Sequence, residues 1–478
     1  MLIIKSKYII PEPDTCIKDA AVAIKGTKIH CIGTFGEIKA LADIDKIIDL
    51  GNAVILPGLI NVHTHLDLTN LHNCIKPTSN FTHWIFQLLG ARIRWKEGDY
   101  TSSIETGIKL CIEAGTTTVA DIANTEYSFS VLKKSPLRKV VYKEIIDLNP
   151  DHAKDVITKI RSELSEHDYN KLMSRNFKYP PVSPRKRGDN EGGSYRSPDL
   201  TSRNFKAEIL RSFHSLRMTN NTKKCHSERS EESNLFRIGL SPHAPYSVSK
   251  ELYQAIAQYA RETNIPVCTH TAETLDEIEF LTKGTGSFPT FLRQLRAIPA
   301  SWQPPGLTPI HYLKGTGMLD NRPLLIHCNY ITDEEISLIK SSGASVAFCP
   351  RSHRFFGHTN HSVQKLLDAG VNVGLGTDSL ASNDSLSILD EMKFLFLHYA
   401  ISPETILSMA TVNGAKALGL GSHVGQIREG FEADLCGIRL SNTHPQDVHS
   451  QLLDADSKNI FTMVSGVICY QASSIQMY

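Results

Sequence analysis

The sequence predicts an α/β protein in which a (β/α)8 barrel of the TIM type carries a small β-sandwich domain. Three observations lead to this prediction. Short apolar runs alternate with helical patterns through the middle of the chain, as in βα units that build a parallel sheet. Strand patterns without helices occupy both ends of the chain. Several apolar runs of the middle region end in histidine or acidic residues, and a parallel barrel gathers the carboxyl ends of its strands at one face.

The two ends of the chain predict one composite β-sandwich. Residues 1–55 contain short strand patterns that are separated by turns around Gly26 and Gly51. The C-terminal strand patterns are 425–427, 433–438 and 459–464. We therefore expect residues 1–55 and 419–478 to form the sandwich together, and residues 56–418 to form the barrel.

The first barrel strand ends in a His-x-His pair. An apolar run turns at Pro57-Gly58, resumes, and leads to His63 and His65. Because side chains alternate faces along a strand, residues two apart point the same way. Both imidazoles can therefore face one point beyond the strand, which suits a divalent metal. By itself, this pair is a weak signal in a chain with 20 histidines.

Three further apolar runs end in residues that can bind or support a metal. The run 265–269 leads to His270, with Glu273 three residues later, the run 323–326 leads to His327, and the run 371–377 leads to Asp378. Because parallel strands end at one face of a barrel, these residues are expected to converge there. The sequence therefore favours one metal site over a set of unrelated core histidines.

Residues 165–235 interrupt the alternation of strands and helices. The segment is basic, rich in Pro, Ser, Arg and Asn, and repeats Ser-Arg-Asn-Phe-Lys at 174–178 and 202–206. A segment with so few aliphatic residues buries too little apolar surface to order itself. We predict a mostly disordered insertion in a surface loop of the barrel domain. A basic patch that binds nucleic acid is the alternative.

The bulk composition offers no case for nucleic acid or a membrane as a partner. Of 478 residues, 41% are hydrophobic and 21% are charged, and the formal net charge is +1. The 10 cysteines are scattered singly, which favours a reducing compartment. No apolar run approaches the ~20 residues that span a bilayer, and the N-terminus lacks a signal-peptide pattern. We expect a cytoplasmic protein that binds a small molecule, no nucleic acid and no membrane.

Motifs in a defined order run along the chain on both sides of the insertion. They are Pro-Gly-Leu-Ile-Asn-Val-His-Thr-His at 57–65, Glu-Ala-Gly-Thr-Thr-Thr at 113–118, Ser-Pro-His-Ala-Pro-Tyr-Ser at 241–247, His-Thr-Ala-Glu-Thr at 270–274, His-Cys at 327–328, Gly-Thr-Asp-Ser at 376–379, Ala-Thr-Val-Asn-Gly-Ala at 410–415 and the β segment 425–435. In this order they resemble the amidohydrolase superfamily, and within it the aminohydrolase and chlorohydrolase branch. The resemblance implies a hydrolase that acts on carbon–nitrogen bonds of cyclic amidines.

The resemblance further implies a mononuclear metal site. Binuclear members usually carry a bridging carboxylated lysine at the end of the fourth strand, and the corresponding run 237–243 contains no lysine. The implied ligands are His63, His65, His270 and Asp378. They would hold one divalent ion, Zn²⁺ by default, with Fe²⁺ or Mn²⁺ as alternatives.

Catalytic roles for Glu273, His327 and Asp378 follow from the same resemblance. Three imidazoles and one carboxylate leave one position on the metal for a water molecule. The pKa of this water would fall towards ~7. Asp378 and His327 would hold or polarise this water. Glu273 would take its proton and pass it to the ring nitrogen beside the reacting carbon, after which ammonia leaves. The structural alternative for Glu273 is a carboxylate at a helix start.

Three residues are candidates for substrate binding. His243 follows the fourth strand and could hydrogen-bond a heterocycle, with a structural role as the alternative. Trp84 lies in the aromatic-rich segment 80–95, which could roof the pocket or serve as a core helix. Arg351 follows the seventh strand and could meet a substrate carboxylate with its planar fork of donors. A salt bridge at the barrel rim is the alternative for Arg351.

The loops that carry Trp84 and Arg351 are most similar to those of 6-aminodeoxyfutalosine deaminases of the futalosine route to menaquinone. Their substrate joins an adenine nucleoside to a benzoate, so an aromatic lid and an arginine both fit. The expected function is hydrolytic deamination of an aminopurine nucleoside, with 6-amino-6-deoxyfutalosine as the first choice. The enzyme alternatives are methylthioadenosine or S-adenosylhomocysteine deaminase, guanine deaminase and chlorohydrolase. A catalytically silent scaffold is the non-enzyme alternative, and a homodimer is one option for the assembly.

Overall fold

The computed structural model describes residues 1–40, 44–78, 80–164, 236–298, 302–440 and 447–477. The predicted insertion 165–235 lies outside the described residues, so its predicted disorder is not tested. Within these ranges, none of the helices combines the length and the apolar character that crossing a membrane requires.

The strands form three hydrogen-bonded sheets. In chain order they are β1 (Leu2–Glu12), β2 (Thr15–Lys25), β3 (Lys28–Thr34), β4 (Lys46–Asp49), β5 (Ala53–Pro57), β6 (Leu59–Thr64), β7 (Thr116–Ala123), β8 (Arg138–Ile145), β9 (Phe236–Pro242), β10 (Cys268–Thr271), β11 (Leu324–His327), β12 (Ser345–Phe348), β13 (Asn372–Leu375), β14 (Leu435–Arg439), β15 (Lys458–Val464), β16 (Val467–Gln471) and β17 (Gln476–Met477). Strands β6 to β9 and β10 to β13 form two four-stranded parallel sheets, and the remaining strands form one nine-stranded mixed sheet.

Helices connect the parallel strands along the chain. In order they are α1 (Phe35–Lys39), α2 (Phe81–Arg92), α3 (Glu97–Glu113), α4 (Glu126–Lys134), α5 (Ala153–Leu164), α6 (Lys250–Thr263), α7 (Leu275–Lys283), α8 (Ser287–Gln294), α9 (Pro309–Gly315), α10 (Asp333–Ser342), α11 (Pro350–Phe355), α12 (Val363–Asp368), α13 (Ile388–His398), α14 (Pro403–Ala410), α15 (Val412–Ala417) and α16 (Val448–Leu452). Short 3-10 turns lie at Leu66–Leu71, Pro150–His152 and Leu319–Asn321. Helices α3, α4, α6 and α10 each separate two consecutive parallel strands, which is the βα alternation that the sequence predicts.

The two parallel sheets meet at both of their edges. Leu240 of β9 forms an isolated parallel bridge with Val267, just before β10, and Thr64 of β6 forms one with Asp378, just after β13. Among the described residues, continuous pairing thus runs within each four-stranded sheet, and isolated bridges mark the two junctions. The predicted α/β class and the parallel strand order are confirmed, whereas full closure into a (β/α)8 barrel stays a prediction.

The parallel strands are buried on both faces, and residues of both four-stranded sheets share one apolar cluster that contains Val62, Ile122 and Ile326. Every residue of β6, β7, β10, β11 and β12 is buried, as expected for strands of this kind. At Gly58, where β5 gives way to β6, an added Cβ would lie 2.1 Å from Oγ1 of Thr117. This close approach explains why the Pro-Gly turn before the histidine pair requires glycine.

Strands from both ends of the chain pair within the nine-stranded sheet. Strand β5 pairs with β1 on one side and with β14 on the other, so the N-terminal and C-terminal segments share one hydrogen-bonded network. The first half of β1 pairs with β4 and its second half with β5. The division into a sandwich of 1–55 and 419–478 and a barrel of 56–418 stays a prediction.

One predicted strand is wrong. Residues 425–427 form no strand, because Gly425 adopts a left-handed conformation with a φ of 91° and the segment runs as bends. The backbone N–H of Ile427 donates to the carbonyl of Pro11 at 3.0 Å, so the segment still packs against the N-terminal sheet. A left-handed glycine interrupts the regular extension that a strand requires.

A buried ion pair joins β8 to the nine-stranded sheet. Arg138, the first residue of β8, is 2% exposed and donates from Nε to Asp434 at 3.0 Å. A second carboxylate oxygen, from Glu432, lies 3.5 Å from its Nη2. Because Asp434 and Glu432 come just before β14, this arginine connects the parallel strands to the terminal segments.

We expect Arg138→Met to lower the free energy of unfolding by about 3–5 kcal/mol, because it leaves the buried carboxylate of Asp434 without its cation, whereas Glu432 keeps Lys28. Urea denaturation would measure this loss. Lys109→Met is the matched control, since Lys109 is 73% exposed in its ion pair and should change stability little. Equal stability of the two variants would show that Arg138 does not hold the sheets together.

Candidate metal centre and active site

His63 and His65 lie together at the end of β6. His63 belongs to the strand and is fully buried, whereas His65 follows it with an extended backbone and opens the 3-10 turn Leu66–Leu71. Their ring centroids are 4.9 Å apart. The structure therefore brings the two imidazoles of the His-x-His pair to one place, as the strand alternation predicts.

His270 of β10 and His327 of β11 complete a cluster of four imidazoles. Their ring centroids lie 5.0 Å and 5.6 Å from that of His63. One nitrogen from each of His63, His270 and His327 lies within 4.8 Å of the others. His327 has a φ of 72°, a left-handed conformation that is uncommon outside glycine and clusters at functional sites.

Asp378 reaches this cluster from the segment after β13. Its Oδ1 lies 3.5 Å from Nε2 of His63 and 3.8 Å from Nε2 of His65. Its Oδ2 accepts hydrogen bonds from the hydroxyls of Ser352 and Ser382, both at 2.7 Å. Two serines thus occupy one carboxylate oxygen and turn the other towards the histidines.

The protonation states in this cluster suit metal binding. Burial, followed by the charge of His63, lowers the pKa of His65 to about 3. Burial also lowers the pKa of His270 well below its usual value. For Asp378, burial by itself would raise the pKa, but the adjacent imidazole of His63 outweighs it and lowers the pKa below its ordinary value. Neutral imidazoles and an ionised carboxylate are the forms that bind a cation.

Hydrogen bonding leaves ring nitrogens free for a ligand role. Both ring nitrogens of His63 are buried without a hydrogen-bond partner among the described residues. Nδ1 of His270 lies 3.0 Å from the carbonyl oxygen of His243. Because a carbonyl can only accept, this Nδ1 carries the proton and Nε2 keeps its lone pair. Orphaned, buried imidazole nitrogens beside a carboxylate fit one divalent metal ion.

Glu273 lies beside His327 in the same enclosure. It follows β10, and its Oε1 is 3.5 Å from Nε2 of His327. Its backbone is held from both sides, because its N–H donates to Glu277 at 2.8 Å and its carbonyl accepts from Asn329 at 2.9 Å. Burial, with the charges of Asp378 and Glu277, raises the pKa of Glu273 well above its usual value. A carboxyl group with a raised pKa can exchange protons near neutral pH.

His243 lies next to the cluster with a partly accessible side chain. Its ring centroid is 4.9 Å from that of His270, and its Nδ1 lies 2.6 Å from the hydroxyl of Ser247. The side chain is 21% exposed, more than those of the other site histidines. Burial and the charge of His63 lower its pKa to about 4. The ring is therefore neutral, and it combines contact with His270 and partial exposure to solvent.

Trp84 belongs to helix α2, which covers the site. Its indole N–H donates to the carbonyl of Ala381 at 3.1 Å. Ala381 lies three residues after Asp378 in the chain. Its ring lies 5.2 Å from Phe356 and 5.6 Å from Phe81. The predicted helix in 80–95 is present, and the structure makes Trp84 part of an aromatic cluster beside the strand ends. Its contact with substrate stays a prediction.

Arg351 takes part in polar contacts at the rim. Its guanidinium donates to the hydroxyl of Ser385 at 2.8 Å and lies 3.3 Å from the carboxylate of Asp384. Its backbone N–H donates to Glu391 at 3.0 Å. These are the rim salt-bridge contacts that the sequence leaves open as the alternative. A role towards a substrate carboxylate stays a prediction.

Sequence reasoning missed residues that support the cluster. The hydroxyls of Ser352 and Ser382 that orient Asp378 carry no signal of their own in the sequence, because serine is common in loops. Glu144 lies 3.9 Å from Nε2 of His243 through its Oε1. A signal for Glu144 does exist, since it lies at the carboxyl end of β8, where the chemistry of parallel strands is found.

Comparison with known proteins decides the family. The amidohydrolase family matches residues 54–185 and 192–469 of the chain. The chain belongs to the amidohydrolase family. This confirms both the predicted superfamily and the prediction that the chain is a hydrolase acting on carbon–nitrogen bonds.

Individual relatives are deaminases. A 5-methylthioadenosine/S-adenosylhomocysteine deaminase of Pyrococcus furiosus is 27% identical over 454 residues, covering 93% of this chain and 86% of its own. An adenosine deaminase from Xanthomonas campestris, solved with bound zinc, has a TM-score of 0.73 at 21% identity, covering 99% of this chain and 94% of its own. The aminofutalosine deaminase of Helicobacter pylori in complex with methylthio-coformycin has a TM-score of 0.70 at 22% identity, covering 98% of this chain and all of its own, 100%. At such identities the two solved structures support only the fold.

We expect the purified protein to hold about one equivalent of a divalent metal, and Asp378→Ala to lose most of it, because the carboxylate supplies the anionic ligand. Metal analysis of both proteins after dialysis would measure this. Asp333→Ala is the control, since Asp333 is 76% exposed and its carboxylate pairs with Lys365. Full metal retention by Asp378→Ala would exclude Asp378 as a ligand.

Proposed function

We propose that this chain is a metal-dependent hydrolytic deaminase of an aminopurine nucleoside. The observation that carries the proposal is the convergence of His63, His65, His270 and Asp378, with Glu273 and His327 on one side of them. A silent scaffold would not need a buried, unpartnered imidazole beside an ionised carboxylate. The deaminase relatives support the same reading.

The proposed metal ligands are His63, His65, His270 and Asp378, with Zn²⁺ as the default ion. When bound, the ion would act as a Lewis acid and lower the pKa of a water molecule towards ~7. The remaining steps belong to the chain. His327 would hydrogen-bond the attacking water through Nε2 and fix its direction.

Glu273 is the proposed proton carrier. Its carboxylate would accept the proton of the attacking water and deliver it to the ring nitrogen beside the C–NH₂ carbon. The water oxygen bonds to that carbon, the C–N bond breaks, and ammonia leaves with a second proton. The raised pKa of Glu273 suits both receipt and delivery. Its backbone hydrogen bonds to Glu277 and Asn329 keep the carboxylate beside His327 during both transfers.

The first-choice substrate is 6-amino-6-deoxyfutalosine. The aromatic cluster around Trp84 and the likeness to the Helicobacter pylori enzyme support it. Because Arg351 already contacts Asp384, a substrate carboxylate would have to compete with that pair. The second candidate is 5-methylthioadenosine or S-adenosylhomocysteine, which the relative from Pyrococcus furiosus supports across 93% of this chain. We further infer that the eight parallel strands close into one barrel around this site.

The test of the mechanism is Glu273→Gln. We expect ammonia release to fall by at least 10²-fold with the metal retained, because the amide cannot carry the proton. Steady-state ammonia assays and metal analysis measure both quantities. Glu279→Gln is the control, because Glu279 lies on helix α7, which begins two residues after Glu273, and its carboxylate accepts a hydrogen bond from the hydroxyl of Thr285. Wild-type rates in Glu273→Gln would contradict the proposed proton transfer.

The test of the substrate is a panel of amines with the metal-loaded wild type. It contains 6-amino-6-deoxyfutalosine, methylthioadenosine, S-adenosylhomocysteine, adenosine and guanine, with a chlorotriazine as the non-amine member. We expect the highest kcat/KM for 6-amino-6-deoxyfutalosine. Preference for another aminopurine nucleoside would retain the mechanism and replace the substrate, and turnover of the chlorotriazine alone would overturn deamination.

A further inference from the structure

A second set of buried polar side chains lies beside His243 and has no part in the proposed proton transfer. Its members are Asp67, Arg92, Asp121, Asn124 and Glu144. They come from the turn after β6, from helix α2, and from the ends of β7 and β8. These positions place them at the same face of the parallel strands as the candidate metal centre.

Glu144 is anchored through one of its two carboxylate oxygens. The side-chain amide of Asn124 donates to its Oε2, and the carbonyl oxygen of that amide accepts from Arg92 at 3.0 Å. Arg92 also lies 3.7 Å from the carboxylate of Asp67 and stacks 5.3 Å from the ring centre of Tyr100. Both Arg92 and Asn124 are thus committed to holding Glu144 in one orientation.

The other oxygen of Glu144 faces His243. Its Oε1 lies 3.9 Å from Nε2 of His243, beyond the range of a hydrogen bond. The side chain of Glu144 is only 6% exposed. Because this oxygen has no donor within hydrogen-bond distance in the described residues, it is free to accept a hydrogen bond from a bound ligand.

The surroundings of Glu144 are rich in carboxyl groups. Both carboxylate oxygens of Asp67 are buried without a hydrogen-bond partner among the described residues, and one oxygen of Asp121 shares this property. Arg92 lies against Asp67 and is linked through Asn124 to Glu144. Such a group of carboxyl side chains favours hydrogen-bond donors over acceptors in a bound molecule.

On the basis of the proposed function, we propose that Glu144 is a further substrate-binding residue, whose Oε1 accepts a hydrogen bond from a donor group of the nucleoside next to His243. His243 and Glu144 then present a ring nitrogen and a carboxylate oxygen side by side to one edge of the substrate. The donor is either a sugar hydroxyl or an N–H of the base. Asn124 and Arg92 are positioning residues that hold the carboxylate for this contact.

The experiment compares wild type with Glu144→Gln on the best amine substrate of the wild type. We expect kcat/KM to fall about 10- to 100-fold, mainly through a higher KM, because a hydrogen bond to a charged group is lost. Metal content should be unchanged. Glu163→Gln is the matched control, since it removes a carboxylate that pairs with Lys143 of the same strand β8.

Substrate analogues identify the donor. Wild type and Glu144→Gln are compared on the 2′-deoxy and 3′-deoxy forms of the substrate and on its free base. If the difference in kcat/KM between wild type and Glu144→Gln disappears with one deoxy form, the hydroxyl that this form lacks makes the contact. A loss that persists on the free base assigns it to a base N–H.

Failure of the inference can be separated from failure of the proposed function. If the wild type releases no ammonia from any amine, the proposed function fails. If the wild type is active and Glu144→Gln matches it on every substrate, Glu144 does not bind substrate. Should Glu144→Gln fail to fold, Glu144→Asp carries the same test, because it keeps the charge and withdraws the oxygen by one methylene. A normal KM in a folded Glu144→Asp variant would then overturn the inference.

Discussion

The site depends on the junction between the first and the last of the parallel strands. The carbonyl of His63 accepts hydrogen bonds from the backbone N–H groups of Thr377 and Asp378, at 3.0 Å and 3.1 Å. Asn61 strengthens the junction, because its side chain contacts both Thr377 and the backbone of His63. These bonds bring the carboxylate of Asp378 against imidazoles that lie far away along the chain. Any displacement of the last strand would separate the carboxylate from the histidines.

Burial raises the pKa of both carboxylates of the site, but the neighbouring charges shift the two pKa values in opposite directions. Asp378 is surrounded by the imidazoles of His63, His327 and His65, which lower its pKa despite burial. Glu273 faces negative neighbours and His327, and its pKa rises. The pair therefore offers one carboxylate for ligation and one for proton transfer near neutral pH. Environments that push the pKa values of two acids apart are a general way to assign their roles.

The two ends of helix α2 contact different parts of the candidate site. Trp84, near its start, hydrogen-bonds the segment that follows Asp378, and Arg92, at its end, contacts Asp67 and Asn124. The same helix therefore contacts both the segment that follows Asp378 and the polar side chains that hold Glu144. Phe81 and Trp84 of this helix are buried in an apolar cluster, as expected of a core helix, and the role of the segment in roofing a substrate pocket stays a prediction. The two alternatives that the sequence leaves open for 80–95 are compatible with each other.

The sequence was sufficient for the parts of this protein that depend on local pattern. Apolar runs identified the parallel strands, and strand ends identified His63, His270, His327 and Asp378 as neighbours, because parallel strands place their carboxyl ends together. Local pattern failed at 425–427, where apolar and polar residues resemble a strand but Gly425 takes a left-handed conformation.

Only the tertiary structure decided the hydrogen-bond and ion-pair partners of the site side chains. Ser352 and Ser382 orient Asp378 from two different segments, and Asn124 holds Glu144 across neighbouring strand ends. For Arg351 the sequence leaves a salt bridge at the rim open as an alternative, but it does not identify Asp384 and Ser385 as the partners. Such pairs join residues from separate segments, and their side-chain directions depend on packing. Periodicity determines the face on which a residue lies, whereas packing determines what it meets there.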